Sequence, residues 1–225
     1  EGSPVGTVEF KNVSFRYPDA SEYVLHDVSF KAEKGQTVAF IGSTGSGKST
    51  AINLVPRFYD ATEGEVLVDG VNVKEYTLRA LHDKIGYVPQ RAVMFSGTVS
   101  GNVAYGEKDG MEYTAEQVKE AVRVAQGQEF VEKMDDTYDA HIAQGGTNVS
   151  GGQKQRLAIA RAVCRRPEIY IFDDSFSALD YKTDKLLRRA LKEETGDTTS
   201  LIVAQRIGTI RDADLIIVLD EGQVV

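Results

Sequence analysis

Gly42, Gly47, Lys48 and Ser49 are the first residues whose types and spacing could do chemistry. They stand as Gly-x-x-x-x-Gly-Lys-Ser/Thr within Phe40-Ile41-Gly42-Ser43-Thr44-Gly45-Ser46-Gly47-Lys48-Ser49-Thr50, a spacing suited to holding phosphate. Glycines let the backbone curl so that successive N–H groups point inward and form a nest for phosphate oxygens. Lys48 supplies a point charge for the β- and γ-phosphates of a nucleotide, and the Ser49 hydroxyl can ligate Mg2+. A helix expected over 48–58 adds its positive N-terminal end. The competing reading is a flexible glycine-serine turn. Against it stands the apolar run Val38-Ala39-Phe40-Ile41 just before the loop, because strand, glycine loop and helix then follow in the order a phosphate site requires.

A second candidate is Ile169-Tyr170-Ile171-Phe172-Asp173-Asp174, an apolar run ending in carboxylates. If the run is a buried strand beside the glycine loop, Asp173 at its C-terminal end can hold Mg2+ directly or through water. Turns also favour Asp, so the pair alone is weak and gains weight from the glycine loop upstream. A third candidate is Asn148-Val149-Ser150-Gly151-Gly152-Gln153. Ser150 and Gln153 fit a capping box at a helix start, and a capped N-terminus bearing two glycines is also an anion site.

These residues need elements to position them. Val8 and Phe10 share one parity and Val13, Phe15 and Tyr17 the other, so a bulge or turn is expected at Lys11-Asn12. Val24, Val28 and Phe30 suggest a second strand with one apolar face. Asp69-Gly70 between 65–68 and 71–73 signals a hairpin. A short helix over 78–84 and a strand over 85–88 lead to Pro89-Gln90. The stretch 114–126 carries Val118, Ala121, Val122 and Ala125 at helical spacing, and a helix is expected from Ser150 to about Arg165, stopped by Pro167. Uninterrupted apolar runs over 169–172, 201–204 and 215–219 suit strands buried on both faces of a parallel sheet, with a helix over 181–194 between the first two.

The 225 residues carry a net charge of −8, which argues against a general nucleic-acid or anionic-membrane surface. A hydrophobic content of 41% suffices for a substantial core, and no apolar run approaches the ~20 residues of a membrane span. Cys164 is the single cysteine and fits a packing role in a reducing compartment. His26, His82 and His141 are scattered, with no metal-ligand spacing. The basic residues Lys154, Arg156, Arg161, Arg165 and Arg166 read as a solvated helix face, with Lys154 and Arg156 able to reach a partner's ligand. A start at Glu1 and a stop at Val225, just after a glycine turn, suit a domain cut from a longer chain or a processed product.

Taken together the motifs resemble those of ATP-binding-cassette (ABC) ATPases across essentially the whole chain. Gly42 to Thr50 is then the Walker A loop, Asp173 closes Walker B, and Ser150-Gly151-Gly152-Gln153 is similar to the family's signature, usually Leu-Ser-Gly-Gly-Gln. Tyr17 sits where the family has its adenine-stacking aromatic, Gln90 matches the Q-loop, Ser177-Ala178-Leu179-Asp180 the D-loop, and Gln205 the switch position. Phe95-Ser96-Gly97-Thr98 through Asn102 and Tyr105-Gly106 resembles multidrug-type exporters. The resemblance implies an α/β fold over 1–225: a P-loop NTPase (RecA-like) parallel-sheet core and antiparallel β-subdomain from 1–90 and 166–225, and a helical signature subdomain from 91–165. It implies ATP and Mg2+ as ligands, the latter held by Ser49, Gln90 and Asp173. It also implies transmembrane domains and a second nucleotide-binding domain as partners at the cytoplasmic face of a membrane. Two such domains close head to tail, each ATP lying between Walker A of one and the signature of the other.

Departures from the pattern concern hydrolysis. The family's Glu after the Walker B Asp is Asp174 here, and its switch His is Gln205. The usual Glu polarises the attacking water; Asp reaches about 1.3 Å less, and misplacement near 1 Å can cost about 10²-fold. Gln205 can hydrogen-bond a γ-phosphate but carries neither proton nor charge. Asp174, Gln205 and Gln90 are thus the residues assigned to the hydrolytic step, and the pattern resembles the degenerate half of a heterodimeric exporter. Ala143-Gln144-Gly145-Gly146, before the signature, also departs from the usual Gly-Glu-Arg-Gly. Three classes stay open: an exporter motor domain, a soluble ABC ATPase of DNA maintenance, and a nucleotide-sensing module that does not turn over. The acidic balance and the stretch 95–106 count against the second; Asp174 and Gln205 favour the third.

Overall fold

The computed structural model describes residues 5–106 and 112–225. Along the chain β1 (Val8–Phe15), β2 (Leu25–Ala32), β3 (Thr37–Ile41) and α1 (Lys48–Asn53) precede β4 (Glu63–Val68), β5 (Val71–Asn72), α2 (Leu78–Asp83) and β6 (Ile85–Val88). The middle holds β7 (Gly97–Thr98), α3 (Val99–Val103), α4 (Ala115–Val124), α5 (Gln128–Glu132), β8 (His141–Ile142) and α6 (Gly151–Cys164). The last part holds β9 (Ile169–Asp173), α7 (Tyr181–Glu194), β10 (Thr199–Val203), α8 (Ile207–Ile210), β11 (Leu215–Asp220) and β12 (Gln223–Val224). These divide into two compact units, one formed by residues up to 85 with 168–173 and 197–225, the other by 86–167 with 174–196. Among the described residues no helix is long and apolar enough to cross a membrane.

The first unit contains an antiparallel sheet ordered β2-β1-β4-β5 and a largely parallel one running β12-β11-β3-β10-β9. In β1 the pairing with β2 shifts between Phe10 and Val13, where Asn12 has a φ of 50°. The expected bulge is there: it lets Val8 and Phe10 on one side of the slip and Val13 and Phe15 on the other all face the core. The Asp69-Gly70 hairpin also forms, with φ of 55° and 76° at its two turn residues, as a primed turn requires. β3 lies between β10 and β11, with Val203 opposite Phe40 and Val218 opposite Ile41, so the C-terminal ends of these strands share one edge with the end of β3.

Expectation and structure part at two places in this unit. β11 is not buried throughout, since Leu215 and Ile216 are 40% and 42% exposed. Among the described residues β12 pairs with β11 at Leu219 and Asp220. Helix α1 ends at Asn53 rather than near 58. Pro56 has no N–H to continue the ladder and disfavours the helical conformation at Val55, so the chain turns off.

The second unit is organised on α6, which packs against α4 and α3. Helix α4 starts on a full Thr114/Gln117 capping box and buries Val118, Ala121, Val122 and Val124. Its expected apolar stripe is its core face. Arg123 of α4 also joins Glu194 at the end of α7 at 3.1 Å.

Candidate functional site

The glycine loop leaves the end of β3 and delivers Lys48 and Ser49 at the start of α1. Two of its glycines are forced by close approach. A Cβ on Gly42 would lie 2.3 Å from the Leu219 carbonyl and 2.6 Å from Ser46 Oγ, and one on Gly47 2.8 Å from the Leu25 side chain. Ser43, Thr44 and Gly45 are exposed, while Ser46, Gly47 and Lys48 are buried. The loop is closed by Ser46 N–H donating to the Ser43 carbonyl at 3.0 Å and by Ala51 N–H donating to Gly47 at 2.9 Å. Lys48 Nζ folds back to donate to the carbonyls of Gly42 and Ser43. Among the described residues Ser46 Oγ is buried without a hydrogen-bond partner. A glycine loop, an ammonium folded onto it and an orphaned hydroxyl together fit an anionic ligand.

Beside the loop, Ser49 Oγ donates to Asp173 Oδ1 at 2.8 Å. Asp173 ends β9 opposite Val203 of β10. Burial pushes its carboxyl above the usual carboxylate range, and the Ser49 hydrogen bond and the nearby charge of Lys48 pull the other way. Among the described residues no group of three or more His, Cys, Asp or Glu could hold a metal. A hydroxyl next to a carboxylate nevertheless fits Mg2+, which takes hard oxygens, keeps several waters and needs only one or two protein ligands when a phosphate supplies the rest. Gln205 lies exposed two residues beyond the end of β10, at the same strand edge as Asp173 and Gly42.

Tyr17, beyond β1, is tied to the same helix. Its hydroxyl lies 2.9 Å from Thr50 Oγ1. Its ring meets Phe15 and Tyr59 edge-on, with centroids 4.9 and 5.1 Å apart. The sequence puts Tyr17 on an apolar strand face; the structure adds a hydroxyl anchor in the first turn of α1.

In the second unit Ser150 caps α6. Its hydroxyl accepts from Gln153 N–H at 3.1 Å, and Gln153 Oε1 accepts from Ser150 N–H at 3.0 Å, completing the expected capping box. Just upstream, Gly145 and Gly146 adopt φ of 73° and 68°, and a Cβ on Gly146 would lie 2.9 Å from the side chains of Lys154 and Met94. Asn148 fixes the approach, accepting from Ala143 N–H at 2.9 Å and donating to the His141 carbonyl at 2.8 Å.

Two of the basic residues, Arg156 and Arg161, depart from the expected solvated face, while Arg166 is exposed. Arg161 donates to the carbonyls of Asn102 at 2.8 Å and Val93 at 2.9 Å, and its guanidinium stands over the stacked rings of Phe95 and Tyr105. Arg156 donates to the Gln126 and Gly152 carbonyls and covers Phe130 with its guanidinium carbon 4.7 Å from the ring centre. The planar fork and its affinity for aromatic faces draw both inward, where a lysine would stay in solvent.

Gln90, Asp174, Ser177 and Asp180 also belong to this unit. Gln90 Nε2 donates to Asp174 Oδ2 at 3.2 Å. Asp180 caps α7, accepting from the N–H and the hydroxyl of Thr183, and these bonds hold its carboxyl below the usual range. Sequence reasoning passes over Gln155, a polar side chain only 4% exposed. Its Oε1 accepts from Ala178 N–H at 3.0 Å, and its Nε2 reaches the Gln90 carbonyl at 3.2 Å and Ser177 Oγ at 3.4 Å. The available signal is spacing: Gln155 stands with Ala158, Ile159 and Ala162 on the buried stripe of α6, a polar group in an apolar series.

A parallel sheet carrying a glycine loop at one strand end and an aspartate at another defines a P-loop α/β domain. The family model described as ABC transporter matches residues 25–177, and the chain belongs to that family. An ABC transporter ATP-binding protein of Mycobacterium tuberculosis is 50% identical over 98% of this chain and 38% of its own length. The ATP-dependent lipid A-core flippase of Haemophilus influenzae is 43% identical over 97% of this chain and 37% of its own length. A solved structure of a bacterial Atm1-family ABC exporter with ATP bound matches with a TM-score of 0.92 at 36% identity, covering 100% of this chain and 39% of that one. The chain spans less than two fifths of the length of these relatives.

Proposed function

We propose that this chain is the Mg-ATP-binding motor domain of an exporter. It would close head to tail against a second nucleotide-binding domain and work with membrane-embedded partners at the cytoplasmic face. The observation that carries the reading is the contact between Ser49 Oγ and Asp173 Oδ1 beside a glycine loop with a buried lysine. The names of the relatives, a flippase and an exporter with ATP bound, agree with it.

In this reading the loop N–H groups and Lys48 grip the β- and γ-phosphates, and Tyr17 stacks on adenine. Ser49 and Asp173 would hold Mg2+, with Gln90 added by the family resemblance, and the ion would neutralise charge gathering on the phosphate oxygens. Hydrolysis joins a water oxygen to the γ-phosphorus and breaks the bond to the β-phosphate oxygen, so the attacking water needs a base or a polarising carboxylate. Asp174 is short for that role and Gln205 is neutral, which makes this chain's own site a slow one. Ser150, Gly151, Gly152 and Gln153 are intact and would complete the ATP site of a partner whose carboxylate is a Glu, with Ser177 and Asp180 in the loop alongside. Calorimetry decides the binding half. Mg-ATP should bind with Kd between about 1 μM and 1 mM, roughly −8 to −4 kcal/mol, and Lys48→Ala should weaken it sharply. No ATP-dependent heat from the wild type at millimolar nucleotide would overturn the reading.

A nucleotide-sensing module that does not turn over is the second reading. The engagement of the Asp174 carboxylate by Gln90 favours it. Sustained ATPase by the assembled transporter, lost on substitution in the signature, separates the two. A soluble ATPase acting on nucleic acid finds no support in a net charge of −8.

A further inference from the structure

A glutamine carboxamide has two N–H donors and an acceptor oxygen, and burying one is unfavourable unless they are used. Gln155 uses both ends, and both on distant parts of the chain: Ala178 N–H at 3.0 Å, the Gln90 carbonyl at 3.2 Å and Ser177 Oγ at 3.4 Å. None of these bonds serves α6 itself, whose first turn is already satisfied by Ser150 and Gln153. Ala178 meets α6 a second time at the signature glycines. A Cβ on Gly152 would lie 3.2 Å from the Ala178 carbonyl and one on Gly151 3.7 Å from Ala178 Cβ. The turn at 177–178 is therefore pressed onto the start of α6 and bonded to it one turn further along. A parallel tie lies next to it, where the fully buried Ser175 donates its hydroxyl to the Val88 carbonyl at 2.6 Å.

We propose that Gln155 is a positioning residue that locks the Gln90 backbone and the Ser177-Ala178 turn to the helix bearing the signature, so that Gln90, Asp174 and the signature are set as one piece. The consequence for turnover rests on the ATPase reading above. The tie itself does not, because it lies within one compact unit and involves no nucleotide.

Two substitutions split the tie. Gln155→Leu keeps the volume and removes every hydrogen bond, whereas Gln155→Glu keeps an acceptor for Ala178 N–H and sets a carboxylate oxygen against the Gln90 carbonyl. Hydrogen exchange of the nucleotide-free full-length protein should show Gln155→Leu releasing both 174–180 and 86–92, and Gln155→Glu releasing chiefly 86–92. Protection of α6 and α4 should stay within twofold of wild type. In the assembled transporter Gln155→Leu, which frees the Ser177-Ala178 turn beside the partner's site, should lower kcat by about tenfold or more, the scale of a small misplacement, while KM for ATP stays within twofold. Gln155→Glu, which frees chiefly the Gln90 segment, should lower kcat less. Unchanged exchange in both segments, or loss of protection spread evenly over the unit, would overturn the tie. Released segments with wild-type kcat in Gln155→Leu would overturn the positioning role. A wild type that binds no ATP overturns the functional reading instead, and the nucleotide-free exchange still decides the tie.

Discussion

Gln90 and Asp174 face each other across 3.2 Å, the glutamine amide donating to the carboxylate that follows Asp173. Asp174 holds this position with a φ of 51°, in the left-handed region, where a short polar side chain is tolerated better than a bulky one. The amide hydrogen bond lowers the basicity of the carboxylate, which keeps further lone pairs able to accept from a water. In the proposed reading, the Asp at 174 and this hydrogen bond both bear on the carboxylate assigned to the hydrolytic step.

The aromatic group at Tyr17 gives a first prediction. The ring is held edge-on by Phe15 and Tyr59 and its hydroxyl by Thr50. Tyr17→Ala should weaken Mg-ATP by about 1–3 kcal/mol, the scale of base stacking on an aromatic side chain. Tyr17→Phe keeps the ring and loses one hydrogen bond, about 1 kcal/mol at most. Titration calorimetry on the three proteins checks the order; equal affinities would show that the ring only packs.

The phosphate loop was legible because its chemistry demands particular residue types at fixed spacing, and the glycines at 42 and 47 are those that close approach forces. The strand over 85–88 and the helix over 181–194 form where the sequence put them. What stayed hidden depends on neighbours far along the chain. The exposure of Leu215 and Ile216 at the start of β11 is one such feature. Arg161 looks like a surface charge until Phe95 and Tyr105 are placed beside it, and Gln155 looks unremarkable until its partners at 90, 177 and 178 converge.

A second prediction separates the signature from this chain's own site. Ser150→Arg places bulk and positive charge at the start of α6 and should abolish most ATPase of the assembled transporter, while Asp174→Asn should matter little. Arg also removes a helix cap, a loss of about 1 kcal/mol, so Ser150→Asp is the control. It caps as well as serine does but turns a negative charge toward an anionic ligand, and should lose activity without losing Tm. Reversed effects at 150 and 174 would mean that this chain's own site is the fast one.

Asp173 provides a test of the metal assignment through pH. Burial raises its pKa in the folded protein, so the folded state keeps the proton to higher pH than the unfolded chain does. Without metal its contribution turns unfavourable as pH climbs above the unfolded value, and is fully unfavourable above the folded one. Asp173→Asn removes that penalty and can still accept from Ser49. At neutral pH the metal-free variant should melt no lower than wild type. The Tm gained on adding Mg-ATP should shrink strongly in the variant, and in the wild type it should fall as the pH is lowered toward the carboxylate range, because Mg2+ must displace the proton. A metal-free variant that melts well below wild type would show Asp173 to be structural.

The last prediction asks whether Asp174 and Gln205 cause slow turnover. Asp174→Glu restores the reach of the carboxylate, about 1.3 Å, and moves its oxygens away from the position where Gln90 now holds them. Gln205→His restores a side chain that can donate to the γ-phosphate and carry a proton. If the two groups act together, each single change recovers little and the double mutant exceeds the sum of the singles. The gain should be on the order of 10²-fold in kcat if placement of the carboxylate is the main defect. The opposing signature matters too, since the repaired site works only when a second domain closes over it. Homodimers of this chain are therefore the first system to measure, because Ser150-Gly151-Gly152-Gln153 of one copy then faces the repaired site of the other. Light scattering reports whether ATP brings two copies together, and phosphate release reports turnover. Dimers that form with ATP while the double mutant stays as slow as wild type would place the defect elsewhere, with Gln90 the next residue to change.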